Sequence, residues 1–120
     1  MSGMLRILSE RKRQIEAEGF DVAHDDEHRG GEMFSAALCY QSNADFGLPL
    51  TVDGVPVGWP WGREWWKPKT PERDLVRAGA LYLAEAERLK RLGEPTVHID
   101  RLVDRIAARL DAMAATPPQS

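Results

Sequence analysis

The chain lacks the features that would place it outside the cell or in a membrane. Its only cysteine, Cys39, has no partner for an internal disulfide, which argues against a disulfide-stabilised secreted domain. No apolar run approaches the 18 residues that indicate a membrane-spanning helix. Residues 1–6 lack the apolar segment and cleavage site of a signal peptide. We therefore expect a cytoplasmic protein.

An excess of positive charge is also missing. Sixteen Lys and Arg residues against 19 Asp and Glu residues give a formal net charge of −3, whereas broad binding to duplex nucleic acid needs a basic face. A local Arg/Lys cluster that holds a small anion is compatible with this charge. No glycine-rich phosphate loop, nucleophile elbow or paired-cysteine motif occurs, so no motif assigns a reaction.

Helical patterns dominate the sequence that is present. A 120-residue chain with 42% hydrophobic and 29% charged residues suits one globular domain. Apolar spacings and end signals predict helices over 4–18, 31–42, 71–92 and 97–114. In the long connection over 43–69, Asp53-Gly54 between valines predicts a short β-hairpin. We expect an all-α domain of three to four helices over 1–115 and a disordered tail over 116–120.

The third and fourth predicted helices have the clearest signals. Thr70 and Pro71 suit a helix start, and Gly93 suits the position after a helix end. The fourth helix has an amphipathic stripe made of Ile99, Leu102, Val103, Ile106, Leu110 and Met113. Because a short chain buries more apolar surface by donating such a helix to a neighbour, we expect a homodimer or larger homo-oligomer.

All four tryptophans lie within eight residues, Trp59-Pro60-Trp61-Gly62-Arg63-Glu64-Trp65-Trp66. Glycine and proline prevent a long regular element there, so this segment belongs to a loop, the tryptophan loop (residues 59–70). Two interpretations remain open: the loop is a lid over a small core, or its rings and cations bind a nucleotide-like ligand. The candidate ligand-binding residues are Trp61, Arg63, Trp65, Trp66, Lys67 and Arg73, with His24 and His28 from an earlier loop.

That earlier loop is acidic and carries two histidines, in His24-Asp25-Asp26-Glu27-His28. Carboxylate oxygens are the ligands that Mg²⁺ and Mn²⁺ prefer. The candidate metal ligands are Asp25, Asp26, Glu32 and Asp74. Alternatively, the acidic loop caps the second helix through its exposed N–H groups, or it contacts a polar ligand without a metal. For Asp74, compensation of the helix dipole is the simpler role.

Two further polar residues lie in apolar surroundings. We expect Glu85 on a solvated flank of the third helix, with burial against Arg6 or Arg11 as the alternative. Cys39 has no adjacent basic residue that would lower its pKa. We therefore expect it to be a small buried hydrophobe and not a nucleophile.

Several segments together resemble a family of small proteins encoded by tailed bacteriophages and prophages. They are residues 9–20 leading into 24–28, Gly31-Glu32 at a helix start, Trp59-Pro60-Trp61 and Trp65-Trp66-Lys67-Pro68 in the tryptophan loop, and residues 73–80. The resemblance covers residues 7 to about 90 of the printed sequence. It implies a phage protein that acts in a bacterial host cell, and it implies no particular activity.

A weaker similarity connects the chain with the all-α MazG-like nucleotide pyrophosphohydrolases. An Arg/Gln-rich first helix, a histidine-containing loop and a late helix rich in Leu, Val and Ala carry it. That family holds Mg²⁺ on a triphosphate with a Glu-Glu-x-x-Glu helix and a later acidic residue. Here Glu32 stands on the matching helix without its carboxylate partners, and Asp74 stands at the later acidic position. The similarity implies a helical nucleotide pocket.

These observations lead to three hypotheses about function. The first is a phage-type binding protein for a small nucleotide-like ligand, which sequesters a cyclic-nucleotide or ADP-ribose-type immune signal and needs no cofactor. The second is a divergent nucleotide pyrophosphohydrolase that uses Mg²⁺ or Mn²⁺ on Asp25, Asp26, Glu32 and Asp74. The third is a protein-interaction module that docks a partner through the tryptophan loop and the fourth helix.

Overall fold

The computed structural model describes residues 1–18, 31–47 and 51–115, and the predicted tail over 116–120 lies outside them. Within these ranges the helices are α1 (Gly3–Glu18), α2 (Glu32–Phe46), α3 (Pro71–Arg91) and α4 (Val97–Ala115). Strands β1 (Thr51–Val52) and β2 (Val55–Pro56) and a 3₁₀ turn (Arg63–Trp65) lie between α2 and α3. The prediction of an all-α fold with a short hairpin is confirmed.

Helix α3 is the central element, because α1, α2 and α4 all pack against it. Its ends follow the predicted signals. The Thr70 hydroxyl accepts a hydrogen bond from the Arg73 N–H at 3.2 Å, and Pro71 opens the helix. Gly93 follows the last turn with a φ of 75°, which is a conformation that favours glycine. The tryptophan loop therefore runs directly into the capped start of the most buried helix.

Turn chemistry determines the hairpin, and tertiary contacts determine the length of α2. In the hairpin, Asp53 and Gly54 have φ values of 53° and 78°, as a two-residue turn with both positions left-handed requires. Helix α2 extends to Phe46 instead of ending near residue 42. Its last turns are held by Asn43, which bonds α3, and by Asp45, which pairs with α4. Local sequence alone does not show such contacts.

The apolar stripe of α4 is buried within its own chain. Ile99, Val103, Ile106 and Leu110 are all buried, and the helix packs against α3 and α1. The stripe is thus part of the core, and it no longer argues that α4 is donated to a neighbouring copy in a homo-oligomer. Across the described ranges, no helix combines the length and apolar character needed to cross a membrane.

Glu85 and Cys39, which the sequence places in apolar surroundings, are both buried. Glu85 is only 4% exposed, and Arg88 donates to its carboxylate at 2.6 Å. The expected solvated flank for Glu85 is therefore wrong, because the charge is neutralised by a partner three residues along the same helix. Cys39 is buried as expected, and burial raises the pKa of its thiol.

Gly79 permits the close approach of α1 to α3. A Cβ atom at this position would lie 2.8 Å from two side-chain carbons of Ile7, which is fully buried. We predict that Gly79→Val lowers the free energy of unfolding by about 1–3 kcal/mol, as overpacking does. Urea denaturation measures this change. Ala108→Val on the exposed face of α4 is the control and should cost less than about 0.7 kcal/mol. Equal midpoints for both variants would contradict the close approach.

Candidate ligand site at the tryptophan loop

The four tryptophans differ in their surroundings. The rings of Trp59, Trp61 and Trp66 are half-buried and pack against the core, whereas Trp65 is 45% exposed. Trp59 meets Trp61 edge-on, with ring centroids 5.5 Å apart. The geometry thus suits a lid for three rings and leaves the fourth ring accessible to solvent.

Tyr40 of α2 anchors the tryptophan loop, and the sequence analysis did not single it out. Its ring stacks on Trp66 with centroids 4.7 Å apart, and Trp59 meets it edge-on at 5.6 Å. Its hydroxyl accepts the Lys67 N–H at 3.2 Å and donates to the Trp65 carbonyl at 3.4 Å. One side chain therefore fixes both the rings and the backbone of the loop.

Arg77 of α3 completes this anchor. Its guanidinium lies over the Tyr40 ring, 5.7 Å from the centroid, and donates to the Lys67 carbonyl. Burial raises the pKa of Tyr40, although the Lys67 N–H and Arg77 act in the opposite direction. The phenol therefore stays protonated at neutral pH and both donates and accepts hydrogen bonds.

A cavity of about 30 Å³ lies under the tryptophan loop. Its lining consists of the aromatic residues Tyr40, Trp59, Trp61 and Trp65, the cations Arg13, Lys67 and Arg77, and Gln14 and Leu81. In the described part of the chain, no carboxylate lines it. The space suits one or two water molecules, whereas small-molecule pockets have volumes of about 300–1,000 Å³. A nucleotide therefore enters only if the loop moves outward.

Gln14 and Arg77, which both line this cavity, each carry a buried polar atom with unmet hydrogen-bonding capacity. Gln14 is 3% exposed, and neither its Oε1 atom nor the Nε atom of Arg77 has a hydrogen-bond partner in the described residues. Leaving a buried polar group unsatisfied costs about 1–3 kcal/mol. One acceptor and one donor are thus available to a molecule that offers the complementary pair.

Beside the cavity lies an open groove of about 230 Å³, the arginine groove. It is lined by Met1, Arg6, Ser9, Glu10, Arg13, Arg73 and Val76. The carboxylate of Glu10 is 1% exposed and accepts from Arg13 at 2.5 Å and from Arg73 at 2.7 Å. Because Arg13 lines both spaces, the arginine groove and the cavity adjoin.

The structure brings together some of the candidate ligand-binding residues. Lys67 Nζ lies over the Trp65 ring, 5.3 Å from its centroid. Arg73 lies in the arginine groove, while Trp61 forms part of the cavity wall. Arg63 instead donates to the Asp53 carbonyl at 3.1 Å and so holds the hairpin. His24 and His28 lie outside the described residues.

The candidate metal ligands are not brought together where the structure describes them. Asp74 is 1% exposed, and its two oxygens accept from Asn43 at 2.9 Å and from the Lys69 N–H at 2.8 Å. Glu32 opens α2, eleven residues before Asn43, which is about 16 Å along the helix. Asp25 and Asp26 lie outside the described ranges. Within those ranges no three His, Cys, Asp or Glu side chains cluster as a metal site would require.

Sequence reasoning missed Tyr40, Gln14 and Glu10. Each lies on a helix among residues of ordinary helical character, and only tertiary packing reveals its role. Comparison of the chain with known families, curated proteins and solved structures finds no match. The function is therefore argued from the geometry of the tryptophan loop, the cavity and the arginine groove.

Glu10 should make folding stability dependent on pH. Burial alone would raise the pKa of Glu10, but the hydrogen bonds and charges of Arg13 and Arg73 outweigh it and hold the pKa below its usual value of 4.5. A carboxyl whose pKa is lowered by folding stabilises the fold above its unfolded pKa, and this contribution is lost as the pH falls through the folded pKa. We predict that Glu10→Gln lowers the free energy of unfolding at pH 7 by about 1.5–3 kcal/mol.

The same substitution should flatten the acid limb of the stability profile, measured by urea denaturation from pH 7 to pH 3. Glu16→Gln is the matched control, because Glu16 is 64% exposed and lies 3.9 Å from Lys12. Its effect should stay below about 1 kcal/mol. If the free energy of unfolding of Glu10→Gln changes with pH as that of the parent protein does, Glu10 is not the source of the pH dependence.

Asp74 should hold the end of the tryptophan loop on α2 and α3. In Asp74→Asn, an amide group replaces a carboxylate oxygen opposite an N–H donor, so one buried donor loses its partner. We predict a loss of about 1–3 kcal/mol in stability and a red shift of tryptophan emission as the loop loosens. Glu72→Gln, at the exposed neighbouring position, removes one exposed ion pair and should cost less than about 1 kcal/mol with no shift of the emission. If the two variants show the same stability and the same emission, Asp74 does not hold the end of the loop.

Proposed function

We propose that the protein binds a small anionic ligand with an aromatic ring system, of the nucleotide type, at the cavity under the tryptophan loop. The observation that carries the proposal is the cavity lining. It combines four aromatic rings with three cations, and no carboxylate from the described residues faces it. Aromatic faces stack on bases, and adjacent Arg and Lys side chains neutralise phosphate charge.

The exposed part of the site provides the first contact for such a ligand. Trp65 presents an accessible ring with the Lys67 ammonium group above it. A base that stacks on Trp65 places its attached negative charge near Lys67 and Arg13. The chain as a whole has a net charge of −3, so this local group of cations favours one small anion over a nucleic-acid duplex.

Full entry of the ligand requires the loop to open. In the closed state Trp66 stacks on Tyr40, and a base that takes the place of Trp66 would keep that stacking contact. The edge of a nucleobase offers both donors and acceptors, and Gln14 Oε1 and Arg77 Nε each lack a partner in the described residues. Because only open molecules bind the ligand, the observed association constant is that of the open state multiplied by the fraction of molecules that are open.

We include in this proposal that the ligand is held and not converted. The resemblance to small phage proteins suggests the biological setting. The distance along α2 between Glu32 and Asn43, which bonds Asp74, separates the two candidate metal carboxylates and supports binding without conversion. In an infected bacterium, such binding would lower the free concentration of a cyclic-nucleotide or ADP-ribose-type signal. Mass spectrometry of the released ligand tests this part, because an unchanged mass supports sequestration and a hydrolysed product contradicts it.

Tryptophan fluorescence tests the binding itself. We predict that ADP-ribose or a cyclic dinucleotide quenches the emission as a base stacks on the rings. Lys67→Gln should weaken binding about fivefold, which corresponds to one exposed charge contact of about 1 kcal/mol. Lys90→Gln, at the far end of α3, is the control and should bind as the parent does. If no member of a nucleotide panel quenches the emission or is retained by the protein, the proposed function is wrong.

A further inference from the structure

We propose that the arginine groove is the phosphate subsite of the same ligand, so that the ligand carries a pyrophosphate group beside its base-bearing end. This inference rests on the proposed function for the aromatic part of the ligand. The inference also has its own structural basis. The groove is larger than the cavity, about 230 Å³ against 30 Å³, and the two spaces share only Arg13 among their lining residues.

The groove forms where α1 passes the first turn of α3. Arg6, Ser9, Glu10 and Arg13 follow one another at spacings of three, one and three residues, which places them on one face of α1. Arg73 is supplied by α3. From Arg6 to Gln14 this face is about 12 Å long, a length comparable with that of an extended nucleotide. A base under the loop at Gln14 would thus have its phosphates directed past Arg13 toward Arg6.

A buried carboxylate holds two of the arginines in place. Glu10 accepts two hydrogen bonds from Arg13, at 2.5 and 3.0 Å, and one from Arg73 at 2.7 Å. A guanidinium has five N–H donors, so Arg73 has donors beyond the one that Glu10 uses. Because both arginines are already ordered, an anion that binds them pays little for fixing their side chains.

The charge of the groove favours an anion. Arg6, Arg13 and Arg73 contribute three positive charges, and Glu10 and the Arg6 partner Glu72 contribute two negative charges. The surplus is one positive charge. Arg6 lies 3.5 Å from Glu72, and both side chains are partly exposed. Both ion pairs tie α1 to α3, but that role alone does not account for the open space of about 230 Å³ beside them.

Calorimetry with adenosine, AMP, ADP and inorganic pyrophosphate tests the inference at one fixed salt concentration. We expect ADP to bind about tenfold more tightly than AMP, because only its second phosphate reaches Arg6 and Arg73. Arg6→Gln should remove most of this gain, with Arg73 supplying the remainder, and should leave adenosine binding unchanged. Glu72→Gln should tighten ADP binding about two- to fivefold, since it removes the charge that competes for Arg6.

Arg101→Gln, on the exposed face of α4, is the matched control and should bind every compound as the parent does. Circular dichroism verifies that the Arg6 and Glu72 variants remain folded, as expected for changes at partly exposed side chains. If ADP binds no more tightly than AMP, or if Arg6→Gln binds ADP as the parent does, the subsite is wrong.

The same titrations separate this inference from the proposed function. Quenching of tryptophan emission by adenosine and AMP, without a gain for ADP, would overturn the subsite and leave the proposed function standing. Binding of pyrophosphate that depends on Arg6, with no quenching by any base-bearing compound, would overturn the proposed function. The groove would then be an anion site that shares no ligand with the tryptophan loop.

Discussion

The small residues of α3 are the constraint on which the rest of the structure depends. Ala78, Gly79, Ala80, Ala84 and Ala86 are all buried in this helix, and they allow three other helices to approach it closely. Larger side chains of the same helix, among them Leu75, Leu81 and Tyr82, are buried in these contacts. Because Arg73, Asp74 and Arg77 lie on this framework, the positions of the groove, the loop end and the cavity wall follow from how α3 is packed.

The site combines two different ways of holding charge near the surface. In the arginine groove, a buried carboxylate orders arginines and leaves a surplus of positive charge. In the cavity, Arg77 is held by an aromatic ring and a backbone carbonyl, and no anion in the described residues neutralises it there. The first arrangement suits phosphate, and the second suits a polar ring system.

The sequence predicted the elements whose signals are local. The cap at Thr70, the stop at Gly93 and the Asp53-Gly54 turn depend on backbone conformations that those residues favour by themselves, and they were found where expected. The roles of Tyr40 and Glu85 were missed or mistaken, because burial and pairing depend on residues distant in the chain or on the helix face that becomes covered. The stripe of α4 has the same pattern whether it covers its own core or that of a neighbour, so periodicity could not decide between them.

The bond from Arg63 to the Asp53 carbonyl has a mechanical consequence. It joins the hairpin turn to the 3₁₀ turn within the tryptophan loop. The end of the loop is held separately, where Asp74 accepts the Lys69 N–H. The loop opening proposed above must therefore either break the Arg63 bond or carry the hairpin along with the rings. A substitution at the hairpin turn would thus change the ease of opening, although Asp53 lines neither the cavity nor the arginine groove.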